Sequence, residues 1–243
     1  MTAPENRRDQ LRDNLAVVRG RINAACVAAG RTASDVELVA VTKFFPAADA
    51  VLLAELGVTD LGENRDQEAA PKIDEVRQLT DLSVRWHFVG QLQSNKARSV
   101  ARYADVVHSL DRPSLLTALA DAADRAERGP LQVLIQVNLD PSADGDAERG
   151  GVRPAELLRF ADQVADRDSL HLAGVMAIAP LYGEPEAAFA RLNLAAAKLR
   201  SMHPSATMVS AGMSGDLEEA IRNGATHVRI GTALLGRRDA TFG

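Results

Sequence analysis

"ELVAVTKFFPAADAVLLAELGVTDL", Glu37 to Leu61, decides the fold. Glu37–Thr42 is an apolar, valine-rich run of strand length, bounded by the basic and proline-containing segment that follows. Pro46 is pre-set for the first turn of a helix, and the spacing predicts a helix from Pro46 to Leu56. Gly57 stands where a helix C′ residue is wanted. Thr59–Leu61 then reads as strand again. Two short strands joined through a helix with tight connections form a parallel βαβ unit.

Working outward, the same unit recurs. Upstream, Leu11, Leu15, Val18, Ile22 and Cys26 recur at helical spacing and Gly30 closes the pattern, so a helix precedes the first strand. Downstream, helices are expected at Arg65–Leu79, Ser94–Ala101, Pro113–Arg128, Pro154–Ala165, Glu186–Met202 and Gly215–Asn223. They alternate with strands at Arg85–Val89, Asp105–Ser109, Leu131–Leu139, His171–Ile178, Thr207–Ser210 and His227–Ile230, and a short helical turn follows the last strand. Eight such units with a helix in front predict an α/β fold, a (β/α)8 TIM barrel with an extra N-terminal helix, rather than an open doubly wound sheet. No repeat, low-complexity tract or linker divides the chain, so one domain is expected over residues 1–243. Pro141–Gly151, rich in Gly, Asp and Ser, has the size of a lid, and reads equally as a surface excursion.

The chain has 243 residues and a formal net charge of −5, which lacks the electrostatic footprint of a nucleic-acid binder. Cys26 is the only cysteine, so neither an internal disulfide nor a thiolate metal cluster can form. The N-terminal MTAPENRRDQ is polar, unlike a signal peptide. Every apolar stretch falls well short of the ~20 residues of a membrane helix. A cytoplasmic protein that engages no membrane is expected. The five histidines, at 87, 108, 171, 203 and 227, lack metal-ligand spacing, and no metal is expected.

A (β/α)8 barrel carries its chemistry at the C-terminal ends of its strands and often binds phosphate after strands seven and eight. Those ends hold Lys43 (strand one), Asn64 (after strand two), His87 and Gln91 (strand three) and Met176 (strand six). Strand seven runs into Ser210-Ala211-Gly212-Met213-Ser214-Gly215, and strand eight into Arg229-Ile230-Gly231-Thr232. Gly212, Gly215 and Gly231 let backbone N–H groups approach an anion, and Ser210, Ser214 and Thr232 add hydroxyls beside helix starts. Asp216 and Glu218 argue against an anion unless they turn away, and Ser214 also suits an N-cap. Arg229 shares a strand face with Gly231, either into the mouth or outward between helices. His87 and His227 sit within strands, where packing or hydrogen bonding is the usual role of a histidine.

Lysine accounts for only four of the 28 basic residues, at 43, 72, 96 and 198. A buried lysine sheds its proton more readily, and its amine can then form a Schiff base with an aldehyde. Arginine stays protonated and cannot do so. Lys43 could equally snorkel to water. A lysine and a phosphate site in one mouth suit a phosphorylated aldehyde: an aldol sugar phosphate, or pyridoxal phosphate.

The stretches LVAVTKFFP, LGENR, WHFVGQLQSNK, GVMAIAP, SAGMSGDLEEAI and VRIGTALLG occur in this order. With them the chain resembles the YggS/PROSC family of pyridoxal phosphate homeostasis proteins, from the first helix to Gly236. The resemblance implies an alanine-racemase-like barrel binding pyridoxal 5'-phosphate. It implies a Schiff base on Lys43 and phosphate ligands on Ser210, Ser214, Gly231 and Thr232 around Gly212 and Met213. It also implies Arg229 facing the pyridine nitrogen and Asn64 near the cofactor; His87 and Met176 join this set from their strand ends. The chain departs from the family pattern at Arg65 (commonly Tyr), Ala211 (commonly Met), Leu234-Leu235-Gly236 (often Ile-Phe-Gly) and Arg149 (often Lys).

An arginine at the pyridine nitrogen leaves it unprotonated and weakens the ring as an electron sink. The chain stops soon after strand eight, and neither Tyr103 nor Tyr182 occupies a recognised base position. The expectation is a reversible carrier rather than an enzyme, with no catalytic residue, acting as a monomer; apoenzymes are candidate recipients. A racemase and a Schiff-base aldolase are the alternatives.

Overall fold

The strands run Glu37–Val41 (β1), Asp60–Glu63 (β2), Arg85–Phe88 (β3), Val106–Leu110 (β4), Leu131–Gln136 (β5), Leu170–Met176 (β6), Met208–Ser210 (β7) and His227–Ile230 (β8). They come from a computed structural model that describes residues 3–140, 150–180 and 183–236. All eight are parallel, and they close in chain order, with β8 pairing back onto β1 from Glu37↔His227 to Ala40↔Ile230. The helices are Ala3–Ala28 (α1), Ala47–Glu55 (α2), Asp66–Leu79 (α3), Ala97–Val100 (α4), Pro113–Ala126 (α5), Leu157–Ala165 (α6), Pro185–Met202 (α7), Leu217–Arg222 (α8) and Thr232–Leu235 (α9). The expected barrel and its leading helix are both present.

Side-chain alternation sorts the strands into two cores. Val107, Val133, Ile135, Val175, Val209, Val228 and Ile230 join the large cluster between sheet and helices. Val106, Leu134, Ala173 and Met176, with Met208, form a second, small cluster inside the barrel. α1 buries Leu11, Leu15, Val18, Ile22 and Cys26. Its Asn14 donates to the Leu234 carbonyl at 2.8 Å, its Arg21 pairs with Glu218 at 2.7 Å, and its Arg7 reaches Asp49 on α2 at 3.1 Å. The leading helix thus straps the seam where the last unit meets the first.

The boundaries differ from the sequence reading where a local bond competes. β1 stops at Val41: the Thr42 N–H still donates to the Gly62 carbonyl at 2.9 Å, but the Thr42 carbonyl accepts the Phe45 N–H at 3.1 Å and closes a turn. Pro46 is extended and caps α2 from outside rather than opening it. β5 ends at Gln136, since Val137 instead bridges to Val152. α8 starts at Leu217, not Gly215, because the Asp216 carboxylate accepts the Met213 N–H at 2.6 Å and holds 213–216 as a turn. Residues 141–149 of the expected lid, together with Arg149 and Tyr182, lie outside the described residues. Among the described residues, no helix is long and apolar enough to cross a membrane.

Candidate functional site

Lys43 lies two residues past the end of β1, in a turn, and is half-buried. The backbone just before it is clamped. Thr42 Oγ1 donates to Glu63 Oε1 at 2.6 Å, and Lys72 Nζ donates both to that oxygen, at 2.6 Å, and to the Thr42 carbonyl, at 2.9 Å. Glu63 is 1% exposed and Lys72 9%. Two of the four lysines therefore divide the work: Lys72 is consumed in a buried ion pair, and Lys43 is presented by it. After Lys43, Phe44 adopts φ 68°, an uncommon conformation for a residue with a side chain. The Lys43 ammonium stands 5.8 Å from the centre of the Phe44 ring, and Arg65, the departure from tyrosine, stacks over the same ring at 5.1 Å.

Asn64 follows β2. Its carboxamide oxygen is buried without a protein hydrogen-bond partner. Its backbone carbonyl occupies the space a Cβ on Gly90 would need, 2.1 Å away, so the loops after β2 and β3 are pressed together. A cleft of about 320 Å³ opens beside this contact, lined by Asn64, Arg65, Phe88, Gln91, Gln93 and Lys96.

Around the seam the loops after β7, β8 and β1 adjoin. Gly212 has φ +88°, and a Cβ there would meet Ala220 Cβ at 2.7 Å, so glycine is needed to turn β7 towards α8. The Gly212 carbonyl still accepts from the Arg229 N–H at 2.9 Å. Ser214 Oγ accepts the Ala233 N–H at 3.2 Å, joining the strand-seven loop to the first turn of α9. Gly231 faces β1: a Cβ on it would stand 3.4 Å from the Val41 carbonyl. Asp216 and Glu218, which weighed against an anion in the sequence, are both engaged: Asp216 with Met213 N–H and Glu218 with Arg21.

Below the mouth, Arg229 is 5% exposed and points inward. Burial pushes its guanidinium down to about 10, with the Asp216 charge opposing. It donates to Ser210 Oγ at 2.7 Å and to the Ala177 carbonyl at 3.0 Å. Ser210, expected in the phosphate loop, is instead fully buried, with its hydroxyl between Arg229 and His108. The cause is register: Ser210 ends β7 on the lumen side, whereas the loop turns only at Gly212. His87 is equally deep, between Asp60 Oδ1 at 2.7 Å and His108 at 2.8 Å. Met176, last residue of β6, belongs to the apolar cluster inside the barrel. Met213 is exposed and its N–H is committed to Asp216.

Lys43, Ser214, Gly231 and Thr232 are thus grouped at the seam, with Arg229 beneath and Asn64 across β2. Sequence reasoning missed Thr42, Glu63 and Lys72, whose partnership spans two elements, and Asp60 and His108. His108 could have been found from its lumen-facing alternation with Val106. Among the described residues no group of His, Cys, Asp and Glu could hold a metal ion.

The donors present fit a phosphorylated aldehyde. The loops after β7 and β8 carry two hydroxyls and the first N–H groups of a helix, Arg229 points inward, Lys43 supplies a primary amine two residues beyond the Val41 carbonyl that Gly231 approaches, and Asn64 adds an unpartnered carboxamide oxygen. Residues 7–239 match the family model described as alanine racemase, N-terminal domain. A protein of Mycobacterium bovis called pyridoxal phosphate homeostasis protein is 43% identical over 98% of this chain and 96% of its own length. The solved structure of PipY from Synechococcus elongatus with PLP bound shares 34% identity, covering 93% of this chain and 100% of that one, with a TM-score of 0.78. Alanine racemase from Corynebacterium glutamicum shares the fold, at 16% identity and a TM-score of 0.69, and this chain covers 63% of it. The chain therefore belongs to the pyridoxal phosphate homeostasis proteins of the alanine racemase N-terminal domain family.

Proposed function

We propose that this chain, as one domain and as a monomer in the cytoplasm, holds pyridoxal 5'-phosphate reversibly at the barrel mouth and releases it to apoenzymes. The observation that carries the reading is the seam itself. It sets the Lys43 turn beside Gly231, and Ser214 against α9, above a buried arginine. The PLP-bound PipY structure and the names of close relatives support it.

When bound, the cofactor supplies an aldehyde that a primary amine captures reversibly, and a dianionic phosphate. Lys43 is the residue for the aldehyde. Ser214, Thr232 and the N–H groups of Gly231 and Thr232 are the residues for the phosphate, with Gly212 shaping the loop and Met213 flanking it. Arg229 would be the donor for the pyridine nitrogen, and Asn64 would offer its unpartnered oxygen to the ring. Ser210, His87 and Met176 form the floor below rather than the walls. The Phe44–Arg65 stack shields the lysine turn from the solvent side.

Holding rather than turning over substrate follows from two features. A guanidinium is a permanent donor, so the ring nitrogen beside it stays unprotonated. Tyr103, the tyrosine among the described residues, is buried, and that burial followed by the Asp66 charge pushes its hydroxyl well above the usual value, which unfits it as a base.

The test is the absorbance of purified protein mixed with pyridoxal phosphate, followed by borohydride fixation and peptide mapping. Wild-type protein should turn yellow and carry the label on Lys43, and Lys43→Ala should stay colourless. A wild-type protein that remains colourless overturns the proposal. Conversion of L- to D-alanine would instead favour a racemase, and fixation of a sugar phosphate but not of pyridoxal phosphate an aldolase. Light scattering tests the monomer.

A further inference from the structure

Five side chains inside the barrel are joined end to end, and binding at the mouth uses only one of them directly. Arg229 donates to Ser210 Oγ at 2.7 Å. Ser210 Oγ lies 3.0 Å from His108 Nδ1, His108 Nε2 lies 2.8 Å from His87 Nδ1, and His87 Nε2 lies 2.7 Å from Asp60 Oδ1. All five are buried, and none is more than 5% exposed. Asp60 opens β2, so the chain runs from the mouth towards the opposite rim. There Asp60 also accepts from Arg85 at 2.6 Å and from Thr59 Oγ1 at 2.7 Å.

The two ends fix the direction of every proton between them. A guanidinium only donates, and an ionised carboxylate only accepts. His87 must then carry its proton on Nε2 towards Asp60. With a neutral His87, Nδ1 accepts from His108 Nε2–H, and His108 Nδ1 accepts the Ser210 hydroxyl hydrogen. Ser210 oxygen is left to accept from Arg229. Each group has a complementary partner. The reverse orientation needs a charged His87 and leaves the Ser210 hydrogen without an acceptor in the chain. It would also add a second buried cation beside Arg229. Burial, followed by the repulsion that a protonated His87 would add and by the Arg229 charge, holds His108 well below its usual value, in keeping with a neutral ring.

Asp60 is held in its ionised form by its neighbours. Burial alone would raise its carboxyl, but the hydrogen bonds from His87, Thr59 and Arg85 outweigh it and keep it well below the usual carboxylate range. A fully buried guanidinium without an adjacent carboxylate is costly, and polarised hydroxyl and imidazole groups in series can spread its compensation over a longer path.

We infer that Asp60, His87, His108 and Ser210 are positioning residues for Arg229, a one-way hydrogen-bond relay that pairs the buried cation at the mouth with a carboxylate at the far end. The relay pins one guanidinium nitrogen through Ser210, the Ala177 carbonyl holds a second, and the other N–H groups are not used by either. This rests on the reading that Arg229 serves the cofactor's ring nitrogen.

The experiment has two arms. In cofactor-free protein labelled with 15N-histidine, NMR should find His108 and His87 both protonated on Nε2 and bare on Nδ1. A proton on His108 Nδ1 overturns the relay. In the second arm, dialysis against pyridoxal phosphate should show Ser210→Ala and His108→Phe binding about ten- to a hundredfold more weakly than wild type, with a shifted absorbance maximum. Ser210→Thr, which keeps the hydroxyl, should restore both. Wild-type affinity and an unshifted maximum in Ser210→Ala overturn the positioning role. A wild-type protein that takes up no cofactor overturns the assignment of the mouth, and is told apart because the tautomers are read without cofactor.

Discussion

At the scale of single residues, two lysines separate chemistry from architecture. Lys43 carries an amine at the mouth, whereas Lys72 is buried against Glu63 and the Thr42 carbonyl. Lys43→Arg keeps the charge and cannot capture an aldehyde, so this protein should melt like wild type and stay colourless with pyridoxal phosphate; a yellow Lys43→Arg protein would contradict the role given to the amine. Lys72→Met removes one partner of a buried pair and leaves the Glu63 carboxylate uncompensated, a loss of about 3–5 kcal/mol of stability. Urea unfolding should show that loss, while whatever protein remains folded should still be labelled on Lys43. The sequence singled out Lys43 because a lysine closes an apolar strand in a lysine-poor chain. It gave no comparable sign for Lys72, which sits on a helix where lysine is ordinarily a solvated residue; only the packing of α3 on β2 reveals its partner.

Between elements, the site depends on loops being brought into register. Gly90 is the clearest case, because any Cβ there would collide with the Asn64 backbone 2.1 Å away. Gly90→Ala should push the loops after β2 and β3 apart, costing about 1–3 kcal/mol in a thermal or urea melt and weakening cofactor uptake in the same protein. Unchanged stability together with unchanged uptake would show that this contact does not position Asn64. The type and order of these elements were legible, since hydrophobic period and helix punctuation are local signals. Their ends were less so. Val137 bridges to Val152, fifteen residues on, whereas Thr42 and Asp216 each close a short turn with a residue three positions away, and neither kind of bond shows in a periodic pattern. Ser210 shows the same limit at the site: its hydroxyl was read with the following loop, but strand alternation turns it into the lumen.

Across the whole molecule, the interior of the barrel holds Asp60, His87, His108, His227 and Arg229, all buried, and should respond to acid. Burial, then His87, lowers His227 from 6.5 to about 4, and burial holds His108 well below its usual value. Both are depressed in the folded state, so the unfolded chain takes up these protons first. Their contribution to stability is full above about pH 6.5 and declines as the pH falls towards about 4, by roughly 3 kcal/mol at most for His227. Asp60, also held below its usual value, adds a further loss in the range below about pH 4. Melting temperatures measured across this range should fall steadily, and His227→Gln should flatten the slope; a slope identical to wild type would remove His227 from the account. The sequence by itself determined the eight βα units, the strap helix in front of them, and the residue types at the strand ends, because these follow from spacing within a few residues. Only the tertiary structure decided that Lys72 pairs with Glu63 behind the lysine turn, and that His108 meets Ser210, 102 residues away, in a relay under Arg229. Barrel closure is a long-range condition met by all the strands together, and no local stretch of the chain encodes which loops it will bring face to face.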